Sequence, residues 1–228
     1  MSVASSRRAR ARRRTRRRRA AIAGAFIILV TATYVLLPRD PDLRRFEPAA
    51  IAHAETAMWR HYYEKSYVAL FADLYGLSRV QYGFSPWDSL RIAYYAARAA
   101  AAFQPSTTPA EADTALPYLE RYFHLLARAA PLRVDVAAAA RTELDWWQAR
   151  REDKGPDEYG VTVARVSSLL YGVDNERMRS AGILRAQAMA YRDAHASLMS
   201  EADWTRIDSA LSEAYGLLKA AITPPLSP

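Results

Sequence analysis

Cysteine is missing altogether from this chain. Its absence excludes a disulfide framework, a thiolate metal site, an iron–sulfur cluster and a cysteine nucleophile together. Glycine is scarce, eight residues in 228. Neither G-x-G-x-x-G nor G-x-x-x-x-G-K-[ST] occurs, so nothing points to a fold that cradles phosphates on a glycine-rich loop. Glu-x-x-His, H-E-x-x-H and G-x-S-x-G are also lacking, which removes the signatures of dimetal carboxylate bundles, zinc proteases and nucleophile elbows. Alternating β-rich runs and Asn-Gly or Asp-Gly hairpin signals are not found. Acidic residues do not occur before Asp40.

That last absence explains the net charge. The formal charge of +8 resembles that of a nucleic-acid binder, but ten arginines lie between Arg7 and Arg19. Setting them aside leaves 22 basic against 24 acidic side chains, so the body of the chain is nearly neutral. A block of like charge repels itself, and residues 1–19 are expected to form a disordered cytoplasmic tail. The run has no interleaved aromatics to stack on bases, which argues against nucleic acid as its partner. Anionic lipid is the functional alternative to a pure topology signal.

Residues 20–37, AAIAGAFIILVTATYVLL, carry no charge. As a helix they rise about 27 Å, close to the ~30 Å hydrocarbon core of a bilayer. A cleaved signal peptide shares the basic start and apolar middle, but this run is long for one and no A-x-A-like site follows. The expectation is an uncleaved transmembrane anchor contacting membrane lipid, with the arginines on the cytoplasmic side. Everything after Pro38 then lies on the far side of the cell (inner) membrane, periplasmic or extracellular. The small-residue spacings Ala20/Gly24 and Ala21/Ala25 permit a homodimer through the span.

Residues 38–48, with three prolines, read as a short stiff linker. Residues 49–222 read as one all-α domain, an antiparallel bundle of about seven helices following the single transmembrane helix. The helices are expected over 49–76, 86–103, 109–130, 134–153, 157–171, 175–199 and 201–222, and residues 223–228 as a disordered tail. Ser85-Pro86-Trp87-Asp88, Thr108-Pro109-Ala110-Glu111 and Ser200-Glu201-Ala202-Asp203 carry N-cap chemistry, and Asp174 is a further candidate. Gly76, Gly155 and Gly172 read as stops. The seventh helix repeats Trp204, Ile207, Leu211, Tyr215, Leu218 and Ile222 on one face. The sixth repeats Ala181, Leu184, Ala188, Tyr191, His195 and Leu198.

Two sets of residues stand out for chemistry. Trp59, Tyr62, Trp146, Trp147, Arg150 and Arg151 combine the side-chain types that anchor interfaces, and they form the candidate partner-binding patch. Arginine stems covering a core edge would produce the same pattern. Glu55 and Glu143 lie among aromatic helical neighbours and must be paired or neutralised if buried. Arg60, Arg91, Arg98, Arg150, Arg151, Arg185 and Arg192 are the available cations. Glu55, Glu143, Arg192 and His195 form a candidate polar cleft. No metal site or cofactor is expected: His53, His61 and His124 show no ligand spacing, and Glu120–His124 reads as a surface contact. With no catalytic motif, the leading function is a binding, scaffolding or assembly module for a membrane-associated or periplasmic protein partner. The rival is an anchored enzyme, or a ligand or metal sensor, using the polar cleft.

Overall fold

A computed structural model describes residues 3–37, 40–130 and 132–223, with side chains from Arg16 onward. Met1, Ser2, Pro38, Arg39 and residues 224–228 of the expected tails and linker lie outside the described residues. The described chain is all-α, with no strands.

The first helix, α1, is Val3–Leu36. The arginine run therefore continues the apolar run in one helix instead of forming the disordered tail expected. Arginine and alanine are both strong helix formers, and an apolar helix supplies a nucleus they can extend. Within α1, Arg16–Leu36 is long and apolar enough to cross a membrane, and none of it is buried against the rest of the protein. The helix touches the remaining fold through α4 (Pro86–Phe103).

The other helices are α2 (Pro48–Tyr63), α3 (Tyr67–Val80), α5 (Pro109–Ala112), α6 (Leu116–Ala129), α7 (Val136–Arg151), α8 (Pro156–Tyr171), α9 (Glu176–Ala194) and α10 (Glu201–Ile222). They form a ring in chain order. Each of α2, α3, α4, α6, α7, α8 and α9 packs on the next in that series, α9 packs on α10, and α10 closes back on α2. The cores of the packed faces meet at the centre.

Several boundaries follow the caps read from sequence. The Ser85 side chain accepts from Asp88 N at the start of α4. Thr108 and Ser200 each form a complete capping box. Gly172, with φ of +67°, closes α8. At α9 the cap is Asn175 and not Asp174.

Four departures have local causes. The expected helix 49–76 is two helices, because Lys65 takes φ of +58°. Its N–H bonds Tyr62 O and the Ser66 N–H bonds His61 O, a paired closure that ends α2 without glycine. Gly76, expected as the stop, lies inside α3. Asp153 ends α7 in the same way at φ of +56°. The helix expected over 109–130 passes through a 3-10 turn, Asp113–Ala115, just before Pro117, which has no N–H to donate. Finally α9 stops at Ala194, five residues early. His195 and Leu198 therefore leave the apolar stripe: Leu198 is 86% exposed.

The linker is also more than a linker. Leu43 and Phe46 are each only 4% exposed and belong to the main core. Asp42 N bonds Tyr82 O, Arg44 donates to Tyr171 O (2.7 Å), and Tyr171 OH donates to Leu43 O (3.2 Å). Lys219 donates to Arg44 O, and Phe46 packs edge-on to Tyr215. Two apolar residues three apart in a polar run are enough to tie the segment to α8 and α10.

Candidate functional site

The ring leaves two cavities at its centre. One, of about 320 Å³, is walled by α2, α3, α4, α7 and α9. The other, of about 260 Å³, is walled mainly by α6 to α10. Ala96, Glu143, Trp147 and Arg185 line both, so the cavities adjoin at a charged boundary.

The boundary draws its polar groups from four helices, α2, α7, α9 and α10. On α2, Glu55 follows Ile51 and Ala52 on the buried face and is 3% exposed. On α9, Arg185 sits one turn from Ala181 and Gly182 on one side and Met189 on the other, with Met178 two turns away, a small and apolar stripe that faces inward. Arg185 Nε and Nη2 donate to Glu55 Oε1 at 2.9 and 2.5 Å, and Tyr215 OH on α10 donates to Glu55 Oε2 at 2.5 Å. Glu55 is thus saturated by a charge-assisted pair and a phenol. The guanidinium pKa of Arg185 is raised against the cost of burial by Glu55, Tyr215 and Glu143.

Glu143 on α7 differs. It accepts the indole N–H of Trp147 (3.0 Å). Among the described residues no cation lies within salt-bridge distance of it, the nearest influence being the charge of Arg185. It is half-buried, with its remaining surface facing the cavity. Burial raises its pKa above the ordinary carboxylate range, Arg185 and the indoles oppose that, and Glu55 adds to it. Beside it Trp146, only 7% exposed, turns its indole N–H toward Glu143 without closing a well-formed hydrogen bond.

The larger cavity collects most of the residues singled out in sequence. Trp59, Tyr62, Trp146, Trp147 and Arg150 line it together with Glu55 and Glu143. Five of the six residues expected as a partner-binding patch and two of the four expected as a polar cleft therefore line one cavity. Trp146 and Trp147 meet edge to face at 6.1 Å, as do Tyr62 and Tyr63 at 5.2 Å. Arg150 is committed to Asp193 through two bonds of 2.9 Å and to Tyr63 OH (2.6 Å). Burial of the Tyr62 hydroxyl raises its pKa.

Three expected members lie elsewhere. Arg151 clips α7 to the end of α4, donating to Phe103 O and Ser106 O with its guanidinium 3.5 Å from the Phe103 ring centre. Arg192 lies over Tyr63, 3.0 Å from the ring centre, and beside Asp193 (3.3 Å), outside the cleft lining. His195 caps α9, exposed, stacked on Tyr191 and bonded to Tyr191 O (2.8 Å). His195 is displaced by the early end of α9, whereas Arg192 is still inside that helix and packs its guanidinium on the Tyr63 ring. The other histidines are dispersed: His53 is exposed near Asp208, His61 pairs with Asp73 (2.6 Å), and His124 is exposed. No three His, Asp or Glu side chains among the described residues converge on a point that could hold a metal ion.

Sequence reasoning named Arg185 only as one cation of seven. The signal that distinguishes it is its place between small and apolar residues at 3.6 spacing, Met178, Gly182 and Met189. Tyr63, Met58, Leu70, Leu74 and Phe103 complete the lining and had no such signal. Comparison of the chain with family models, with curated proteins and with solved structures finds no match.

Proposed function

We propose that this chain is a membrane-anchored binding module. In this reading α1 crosses the membrane with its arginines in the cytoplasm, and the ring of helices stands on the periplasmic or outer side. There it holds a membrane-associated or periplasmic partner, in a scaffolding or assembly role. The observation that carries the reading is the convergence of Trp59, Tyr62, Trp146, Trp147 and Arg150, drawn from two helices, on one cleft of about 320 Å³. Rings lining a cleft of that size offer a ligand or an inserted side chain dispersion contacts across a broad surface.

The rival enzymatic or sensing reading loses support from geometry. Arg192 and His195 lie outside the cleft, and Glu55 is fully engaged by Arg185 and Tyr215. What is left is a recognition surface with one free carboxyl group, not an acid–base pair.

The test uses the cysteine-free background. A photocrosslinking residue at Met58, on the cleft wall, is introduced into the full chain in its native membrane. A defined adduct that disappears in Trp147→Ala, and that is not formed from a site on the far face such as Ser209, supports the module. Equal labelling from both sites overturns it. Single cysteines at Ser5 and Glu213, probed with a membrane-impermeant thiol reagent, should react from opposite sides of the membrane.

A further inference from the structure

The charges around the cleft do not balance. Glu55 and Glu143 face a single guanidinium, Arg185, which is spent on Glu55 through two nitrogens. Arg150, the other cation on the lining, is spent on Asp193. Glu143 is the carboxylate without a counter-ion, and it is surrounded by rings. Its neighbours on the cleft wall are Trp146 and Trp147, with Trp59, Tyr62 and Phe103 on the facing helices.

The same neighbourhood shows what those rings attract. Three of them already carry a guanidinium on a face: Tyr63 has Arg192, Phe103 has Arg151, and Trp146 has Arg185 at 5.6 Å. Trp59, Tyr62 and Trp147 carry none among the described residues. An aromatic face attracts a cation through its quadrupole, most strongly where water is excluded. A carboxylate without a partner in such a place attracts one by charge.

We infer that the larger cavity is a site for a small organic ammonium ion, its charge against Glu143 and its alkyl groups against Trp59, Tyr62 and Trp147. This deepens the binding-module reading and rests on it. A volume of about 320 Å³ admits an alkylammonium group of a few carbons and excludes a folded element. Ammonium chemistry is shared by a free amine and by the lysine side chain of a protein partner, and the test separates them.

The titratable and charged groups around Glu143 are Glu55, Tyr62 and Tyr63 on α2, Tyr82 before α4, Tyr122 on α6, Arg150 on α7, Tyr171 on α8, Arg185 on α9 and Tyr215 on α10. Arg185 is engaged by Glu55 and Arg150 by Asp193, so neither pairs with Glu143 directly.

The experiment is tryptophan fluorescence titration of the full chain in lipid nanodiscs lacking choline headgroups. Choline is compared with its neutral isostere 3,3-dimethylbutan-1-ol and with 3,3-dimethylbutanoate. The expected result is saturable binding of choline at least tenfold tighter than either isostere, and at least a tenfold loss in Glu143→Gln. The comparison of choline with its two isosteres is made on the unaltered protein, and so keeps the test decisive if the variant does not fold. Nα-acetyl-lysine methylamide binding more tightly than choline would assign the ammonium to a partner's side chain. Equal binding of the neutral isostere, preference for the anion, or no saturable response would overturn the cation site. The crosslink from Met58 decides separately: if it persists while choline fails, only the ammonium assignment falls, and if both fail, the module falls with it.

Discussion

Two stretches of the same ring treat the space between helices in opposite ways. Where α8 meets α9, Gly160, Ala164, Gly182 and Ala186 let the backbones close until nothing fits between them. A Cβ on Gly182 would lie 2.5 Å from Ala164 N and Gly160 O, and one on Gly160 would lie 2.6 Å from the Cα of Ile183. Where α2 and α4 face α7, the residues are Trp59, Tyr62, Phe103, Trp146 and Trp147, and a cavity remains. Small residues fill an interface with backbone, whereas rigid rings around a buried charge cannot interdigitate without desolvating it. The seam is where the ring spends its residues on stability, and the cleft is where it does not.

The largest effect should come from the ion pair between these regions. Glu55→Leu leaves the half-buried Arg185 without its salt-bridge partner and Tyr215 without its acceptor, a loss of about 2–3 kcal/mol, and the melting temperature of the full chain should fall by roughly 5–10 °C. Adding Arg185→Met should recover most of it; a double variant as unstable as the single would show that Tyr215 and packing, not charge, hold the boundary.

The seam comes next. Gly182→Ala should cost about 1–3 kcal/mol by overpacking. Gly76→Ala, in the open interior of α3 where no atom lies within 4 Å of the new Cβ, should gain about 0.5–1 kcal/mol. Urea unfolding of the pair measures the contrast, and equal effects would mean that α8 and α9 separate readily. Ser200→Ala, which removes the capping box of α10, should cost about 1 kcal/mol.

The smallest effect belongs to the cleft. Glu143→Gln should change stability at neutral pH little, and toward a gain, because it removes a charge that the fold holds at a cost. The pH dependence distinguishes it. The folded pKa of Glu143 is raised, so the native state binds its proton more tightly. Its cost is absent below the unfolded value near 4.5 and grows as pH rises through the folded value. Asp203 has the opposite sign: Ser200 and Tyr191 hold it at about 2, and its contribution, present above about 4, is lost as pH falls toward 2. Relative to Glu143→Gln, the unaltered chain should gain stability on acidification from pH 7 to 5. A constant difference across that range would show that Glu143 shares the solvent of the outer surface.

The helices were legible because they rest on local rules. Ser85, Thr108 and Ser200 carry caps that need only three residues to be recognised, and α4 and α10 begin and end as read. The closures at Lys65 and Asp153 were not legible, since each places an ordinary side chain in the left-handed region without a glycine to announce it. The burial of Leu43 and Phe46 depends on Tyr171, more than a hundred residues away, and no local pattern states that. The site was half readable. Aromatic and carboxylate residues at helical spacing marked Trp59, Tyr62, Glu55, Glu143, Trp146 and Trp147, but the choice of Arg185 over Arg192 depends on how α9 packs against α2, which sets Arg185 beside Glu55 and Arg192 over Tyr63.

The burial of Leu43 also sets how far the ring can range. Between Leu36 at the end of α1 and Leu43 in the core the chain extends at most about 25 Å. With α1 in a bilayer, the ring becomes a short-leashed body that samples only a thin layer above the lipid. A membrane-associated occupant would then be met by lateral diffusion in two dimensions, at a local concentration set by the crowding of that layer and not by the volume of the compartment beyond.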